Sequence, residues 1–405
     1  MKTEVNLRNE ELLLCGLCRL TFDAENGSGL RSLAEKISDW SYFYELAGRH
    51  GIAALVYNNL ASLDLLQFVP FNIKEILRNS LLNNIARNAG FTEKISEVLG
   101  LLEKENIRVV LLKGLALELS VYGNCGLRQM TDVDVLVSRD NALQARKILM
   151  ENGFRSHPLK SVLYKPIFLD AGKHLPTLTR HGFSVEIHHE LFSLKNSVLT
   201  KMLYDGSTEI EIKGNRAYIP SPGMFFLYLV KHLWLHEMNN ESQLRLYTDL
   251  AVMVEKYRDS IIEPALVDLA GKADMNEILS SYFRLLRDFW GISFPKWMND
   301  FIDKWSGNSS IDRFVFFLKS PKDNPQPDRA KVYRYHLGEI PGFHRKLLFV
   351  AGDLFPTPEF MKNRYGCKSM LKAFIYYPLR WGKLWYLFKR GHKGTEAQGH
   401  NGSRI

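Results

Sequence analysis

Apolar positions recur at helical spacing through the first hundred residues. "WSYFYELAGRHGIAALVYNNLASL" carries the pattern, and "FNIKEILRNSLLNNIARNAGFTEKISEVLGLLEKEN" continues it with alternating apolar and charged faces, so residues 1–105 read as a helical region. The period then changes. "IRVVLLKG" is short, β-branched and apolar, and Gly114 closes it as a buried strand would be closed. "LALELSVY" reads as a short helix and "GNCGLRQMT" as a glycine-punctuated loop. "DVDVLV" is a second strand. "SRDNALQARKILMENGF" is a helix with Ser138 as N-cap and Gly153 as its stop. In "FSVEIHHEL" (183–191) Val185 and Ile187 share one face of a third strand, and Glu186 and His188 the other.

Helical patterning returns after residue 220. "SPGMFFLYLVKHLWLHEM" opens on a Ser-Pro start, and "SQLRLYTDLAVMVEKYRD" and "IIEPALVDLAGKADMNEILSSYFRLLRDFWG" follow. "SPKDNPQPD" reads as the clearest linker. The expected organisation is a helical region at 1–105, an α/β core at 106–220, a helical domain at 221–357 and a basic aromatic tail at 358–405, its end disordered.

Within this pattern two charges stand out. Asp132 and Asp134 flank Val133 in an otherwise apolar strand, and residues i and i+2 of a strand face the same way. Two carboxylates held side by side repel unless a cation neutralises them. Hard oxygen ligands of this kind suit Mg²⁺ or Mn²⁺, and magnesium commonly takes one or two carboxylates together with phosphate oxygens. Glu186, on an apolar strand of its own, is the candidate third ligand, and His188 joins the carboxylates, binds substrate or packs at the strand edge. Gly114 at a strand–helix junction lets the backbone approach a phosphate, with Lys113 and Arg128 as bases beside it. Arg245 and Asp249 are spaced to pair along one helix face. His232 and His236 share a face too, but "HLWLH" lacks the glutamate of a zinc protease motif. They read as packing or substrate contacts.

Composition narrows the partners. The 405-residue chain is 46% hydrophobic and 24% charged, which is globular rather than disordered. Its net charge of +9 favours anionic partners such as nucleotides. Nucleic acid stays open as a partner, although the basic residues are dispersed and only the tail clusters them. Cys15 and Cys18 have CxxC spacing in an apolar helical stretch without further ligands, so they read as core residues in a reducing cytoplasm. No apolar run is long enough to span a membrane, and the N-terminus does not resemble a signal peptide. The tail, with Trp381, Trp385, Tyr386 and Phe388 among Lys383, Lys389 and Arg390, is read either as a peripheral contact with an anionic inner membrane face or as a helix packed on the core.

These residues resemble the DNA polymerase β-like nucleotidyltransferase superfamily, with its strand–glycine–helix, its Asp-x-Asp strand and its third carboxylate on a later strand. More closely, "VVLLKGLAL", "VYG", "GLRQMTDVDVLV" and "VEIHHEL" resemble the bacterial "uncharacterised nucleotidyltransferase" family, as do "LVKHLWLH", "LRLYTDLAVMV" and "LFPTPEFMKNRYG". The resemblance runs over about residues 40–390 and is strongest at 110–140. It implies a mixed α+β and α/β fold, a small polymerase β-like sheet flanked by N- and C-terminal helical regions. It implies Asp132, Asp134 and Glu186 as catalytic metal ligands for Mg²⁺ or Mn²⁺. Gly114 is implied as the phosphate-loop glycine, with Lys113 and Arg128 holding the donor triphosphate. The superfamily's Gly-Ser pair is Gly114-Leu115 here, and the interval to Asp132 is longer than usual. The implied activity is transfer of a nucleoside monophosphate from an NTP to an unknown acceptor, with a small molecule or sugar of cell-envelope or exopolysaccharide synthesis as one candidate. The alternatives are a toxin-like enzyme modifying protein or tRNA, and a catalytically silent nucleotide-binding module.

Overall fold

The structure, a computed structural model, describes residues 6–123, 126–192, 194, 197–305, 309–319 and 329–382. The linker expected at 320–328 and the tail beyond residue 382 lie outside the described residues. Seven strands form one mixed sheet: β1 (Val110–Leu111), β2 (Val133–Leu136), β3 (Arg155–Ser156), β4 (Leu178–Arg180), β5 (Phe183–His188), β6 (Thr208–Ile212) and β7 (Asn215–Ile219). Their order is β3-β4-β5-β2-β1-β7-β6. The central strands β1 and β2 are wholly buried, which is why both are apolar but for Asp134.

Four strands exceed the sequence expectation, and two of them form a hairpin. In "TEIEIKGNRAYI" strands β6 and β7 alternate, and the turn between them holds Lys213 and Gly214 at positive φ (52° and 83°). The third expected strand ends at His188 rather than at Leu191, because the chain turns there and Glu190 accepts the amides of Leu191 and Phe192 at 2.8 and 3.2 Å. Ser138 makes no side-chain cap, and a 3₁₀ turn (Arg139–Asn141) precedes the helix Ala142–Glu151. The expected helix "LALELSVY" splits into Lys113–Leu117 and a π-helical turn, Glu118–Tyr122.

Helices flank this sheet on both sides in sequence. The 33-residue helix Phe71–Glu103 packs along β7, and its Ser96 hydroxyl takes a hydrogen bond from Asn215 at 2.9 Å. The helices Pro222–Met238, Leu244–Lys256 and Asn276–Asp288 share one apolar core with the N-terminal helices, running from Leu13 through Leu111 and Phe226 to Phe314. Cys15 and Cys18 sit in that core as buried free thiols, pushed up by burial, Cys18 to about 12. His50 links the N-terminal helices to the later ones. Its Nδ1 accepts from the Leu244 amide at 3.0 Å, which leaves Nε2–H to donate to the Leu318 carbonyl at 3.1 Å. No helix among the described residues is long and apolar enough to cross a membrane.

Candidate active site

The parallel pairing of β2 with β5 builds the site. Its register sets Asp134 beside Glu186 and Leu136 beside His188, so alternation along both strands brings Asp134, Glu186 and His188 to one sheet face. One ligand atom from each of these three lies within 4.8 Å of the others. His188 Nε2 is 2.9 Å from Asp134 Oδ1 and 3.8 Å from a Glu186 oxygen. Thr177 orients Glu186, its hydroxyl donating to Oε1 at 2.9 Å.

Strand β1 runs antiparallel to β2 and hands the chain to Lys113, whose Nζ donates to Asp134 Oδ1 at 2.7 Å. Lys113 has φ 45°, a left-handed conformation costly for a residue with a side chain and characteristic of functional sites. Burial works against both charges. The Lys113 charge overrides it to hold the Asp134 carboxyl far below its usual range, and the Asp134 charge in turn holds the ammonium above its own. His188 is pushed down to about 3, by burial first and by Lys113 second, so its imidazole is neutral at pH 7 and fit to bind a cation.

Asp132, half-buried, stands just before β2 and accepts from Thr131 at 3.1 Å. Burial raises its carboxyl, and the charges of Asp134 and Glu186 raise it further, which marks it as adjacent to both. The repulsion expected between Asp132 and Asp134 is thus relieved on one side by Lys113, a base the sequence reading had set aside for phosphate. Gly114 follows in the short helix, and a Cβ there would stand 2.8 Å from Met130 Cγ, so glycine lets the 126–131 loop close over this turn.

Arg128 is buried and forks onto Asp249, with Nε at 2.8 Å from Oδ1 and Nη2 at 2.7 Å from Oδ2. The Tyr122 hydroxyl joins Asp249 at 2.8 Å. The i,i+4 pairing expected for Arg245 and Asp249 is replaced by this longer-range one, because a bidentate fork outcompetes a neighbour along the helix. Arg245 turns instead to the Gln129 carbonyl and to Gln243, both at 3.0 Å, and lies within reach of the Asp132 charge. The loop itself is pinned by Glu118, which accepts from the amides of Gly126 and Arg128. Gly126 sits at φ 109° hard against Ile85, where no other residue fits.

His232 and His236 stack edge to face at 4.5 Å, and burial pushes both down, His236 to about 4. Neither belongs to the three-ligand cluster. Two carboxylates and a neutral imidazole fit a divalent cation, with Mn²⁺ accepting the nitrogen more readily than Mg²⁺. His188 is the ligand candidate the sequence left open, and the alternation Glu186-Ile187-His188 was its signal.

A mixed sheet between helical regions, with a carboxylate–imidazole cluster on its central strands, is consistent with a polymerase β-like nucleotidyltransferase fold. Residues 37–291 match the family "Uncharacterised nucleotidyltransferase", and the chain belongs to that family. Among solved structures, the antibiotic-resistance factor ANT(2'')-Ia is similar over 51% of this chain and 100% of its own, at 11% identity and a TM-score of 0.33. An antigenic nucleotidyltransferase-like protein from Paracoccidioides brasiliensis is similar over 55% of this chain and 95% of its own, at 14% identity and a TM-score of 0.32. No curated protein matches significantly.

Proposed function

We propose that the chain is a metal-dependent nucleotidyltransferase that moves a nucleoside monophosphate from an NTP to an acceptor. The observation that carries this reading is the β2–β5 register, which sets Asp134, Glu186 and His188 within 4.8 Å. Asp134, Glu186 and His188 would hold the cation, with Asp132 beside them. A bound divalent cation would supply charge neutralisation at the α-phosphate and leaving group. The acceptor oxygen forms its bond to the α-phosphorus while the bridge to the β-phosphate breaks, and pyrophosphate leaves with the electron pair. The acceptor proton would pass to a carboxylate of the cluster, and the hydrogen bond by which Thr177 orients Glu186 supports that residue in the role. Lys113, the backbone at Gly114 and Arg245 are the groups beside it for the triphosphate; Arg128 contributes by fixing the loop they adjoin.

A silent nucleotide-binding module is the second reading, and the hold of Lys113 on Asp134 favours it, since an ammonium already balances that carboxylate. Thermal unfolding with each of the four NTPs, with and without Mg²⁺ or Mn²⁺, separates the two. A midpoint rise that needs metal and one nucleotide together, and that is lost in Asp132→Asn, supports the transferase. A nucleotide-dependent rise indifferent to metal supports the silent module.

A further inference from the structure

The cluster borders a cavity of about 530 Å³. His188, whose Nε2 meets Asp134, is part of its wall, and Tyr228 and His232 continue that wall beside Lys113 and Asp134. Tyr335, Glu339 and Phe349 also line it. These three lie beyond residues 37–291, so helices C-terminal to the family match contribute to the cavity alongside residues within it.

The volume sits inside the range of small-molecule sites and is far too small for a folded protein or an RNA helix. Charge decides between donor and acceptor. Of the two ammonium groups lining the cavity, Lys160 is paired with Asp353, and Lys173 donates to the carbonyls of Leu191 and Phe192. Both are thus already engaged by the protein, and no guanidinium lines the cavity among the described residues. A triphosphate would find no free cationic fork here. A neutral molecule with many hydroxyls would find donors at Lys173 and the imidazoles, an acceptor at Glu339, and flat apolar walls where Tyr164 stacks on Phe349 at 5.6 Å.

Resting on the transferase reading, we infer that this cavity binds the acceptor, an uncharged polyhydroxylated molecule of monosaccharide size, with one hydroxyl at the His188 end. The C-terminal helices then set acceptor choice, while the sheet sets donor chemistry.

The test is calorimetric titration of the full-length protein with glucose, N-acetylglucosamine, ribitol and myo-inositol, and with their monophosphates. At least one neutral polyol is expected to bind, and Phe349→Leu and Glu339→Gln are each expected to weaken it about tenfold, the worth of one lost charged hydrogen bond or wall contact. Both variants are expected to keep the fold, since leucine retains apolar bulk at the wall and glutamine can still accept from the Leu194 amide, which Glu339 accepts at 3.2 Å. Their metal-dependent NTP shift should match the wild type. Failure of every neutral polyol, binding of the monophosphates alone, or loss of the NTP shift in these variants overturns the inference. Polyol binding in a protein that shows no NTP shift supports the cavity assignment and removes the transferase reading instead.

Discussion

Lys113 Nζ and Asp134 Oδ1 lie 2.7 Å apart, joining the end of β1 to the middle of β2 inside the sheet's buried centre. Removing one partner of a buried pair strands the other, at about 3–5 kcal/mol. Lys113→Met is therefore expected to lower the denaturant midpoint sharply. Mn²⁺ should recover more stability in this variant than in the wild type, because a cation can replace the lost ammonium. Equal metal responses in the two proteins would count against a cation at Asp134.

The two aspartates are expected to differ. Asp132 carries a half-buried carboxyl raised by its acidic neighbours, so Asp132→Asn relieves repulsion and should leave the unfolding midpoint unchanged or higher while metal-dependent turnover falls. Asp134→Asn leaves the Lys113 charge unbalanced and should lower both. Turnover at wild-type rate in Asp132→Asn would remove that residue from the mechanism.

Arg128 and Asp249 form a second buried pair, with side chains only 7% and 1% exposed. Asp249→Ala is expected to cost about 3–5 kcal/mol by leaving a buried guanidinium. The double replacement Arg128→Met with Asp249→Leu should recover most of that loss, which urea unfolding of the three proteins would read directly. If the double variant lost as much as the single one, Arg128 would have a role beyond the pair.

His50 gives a pH signature away from the site. Burial lowers its folded value to about 4, against an ordinary 6.5. A depressed group contributes stability that is complete above the unfolded value and is lost as pH falls toward the folded one. Stability should therefore decline between pH 6.5 and 4, as the unfolded chain takes up a proton that the folded chain refuses. His50→Gln should flatten this part of the profile and cost about 1–3 kcal/mol for the disturbed bonds to Leu244 and Leu318. An unchanged slope in the variant would show that other buried histidines carry the decline.

Much of the site was legible from alternation alone. Asp132-Val133-Asp134 and Glu186-Ile187-His188 each place polar groups on one face of an apolar strand, and that period follows from the geometry of a single strand. The hairpin at 208–219 carries the same kind of signal in its alternation and its Lys-Gly turn. The short strands β3 and β4 had no such signal: two or three residues carry no period.

The partner of each charge was another matter. The sequence by itself determined the helical and strand segments, the buried cysteines and the acidic residues of the central strands, because these depend on spacing within about a dozen positions. Only the tertiary structure decided that Lys113 neutralises Asp134, that Arg128 forks onto Asp249, and that His188 completes the cluster. It also decided that residues 335–349 wall the cavity beside it. Those contacts join residues 21 to more than 100 positions apart. Their identity depends on which side chain arrives in a buried, low-dielectric space, where an unpaired charge is too costly to leave alone.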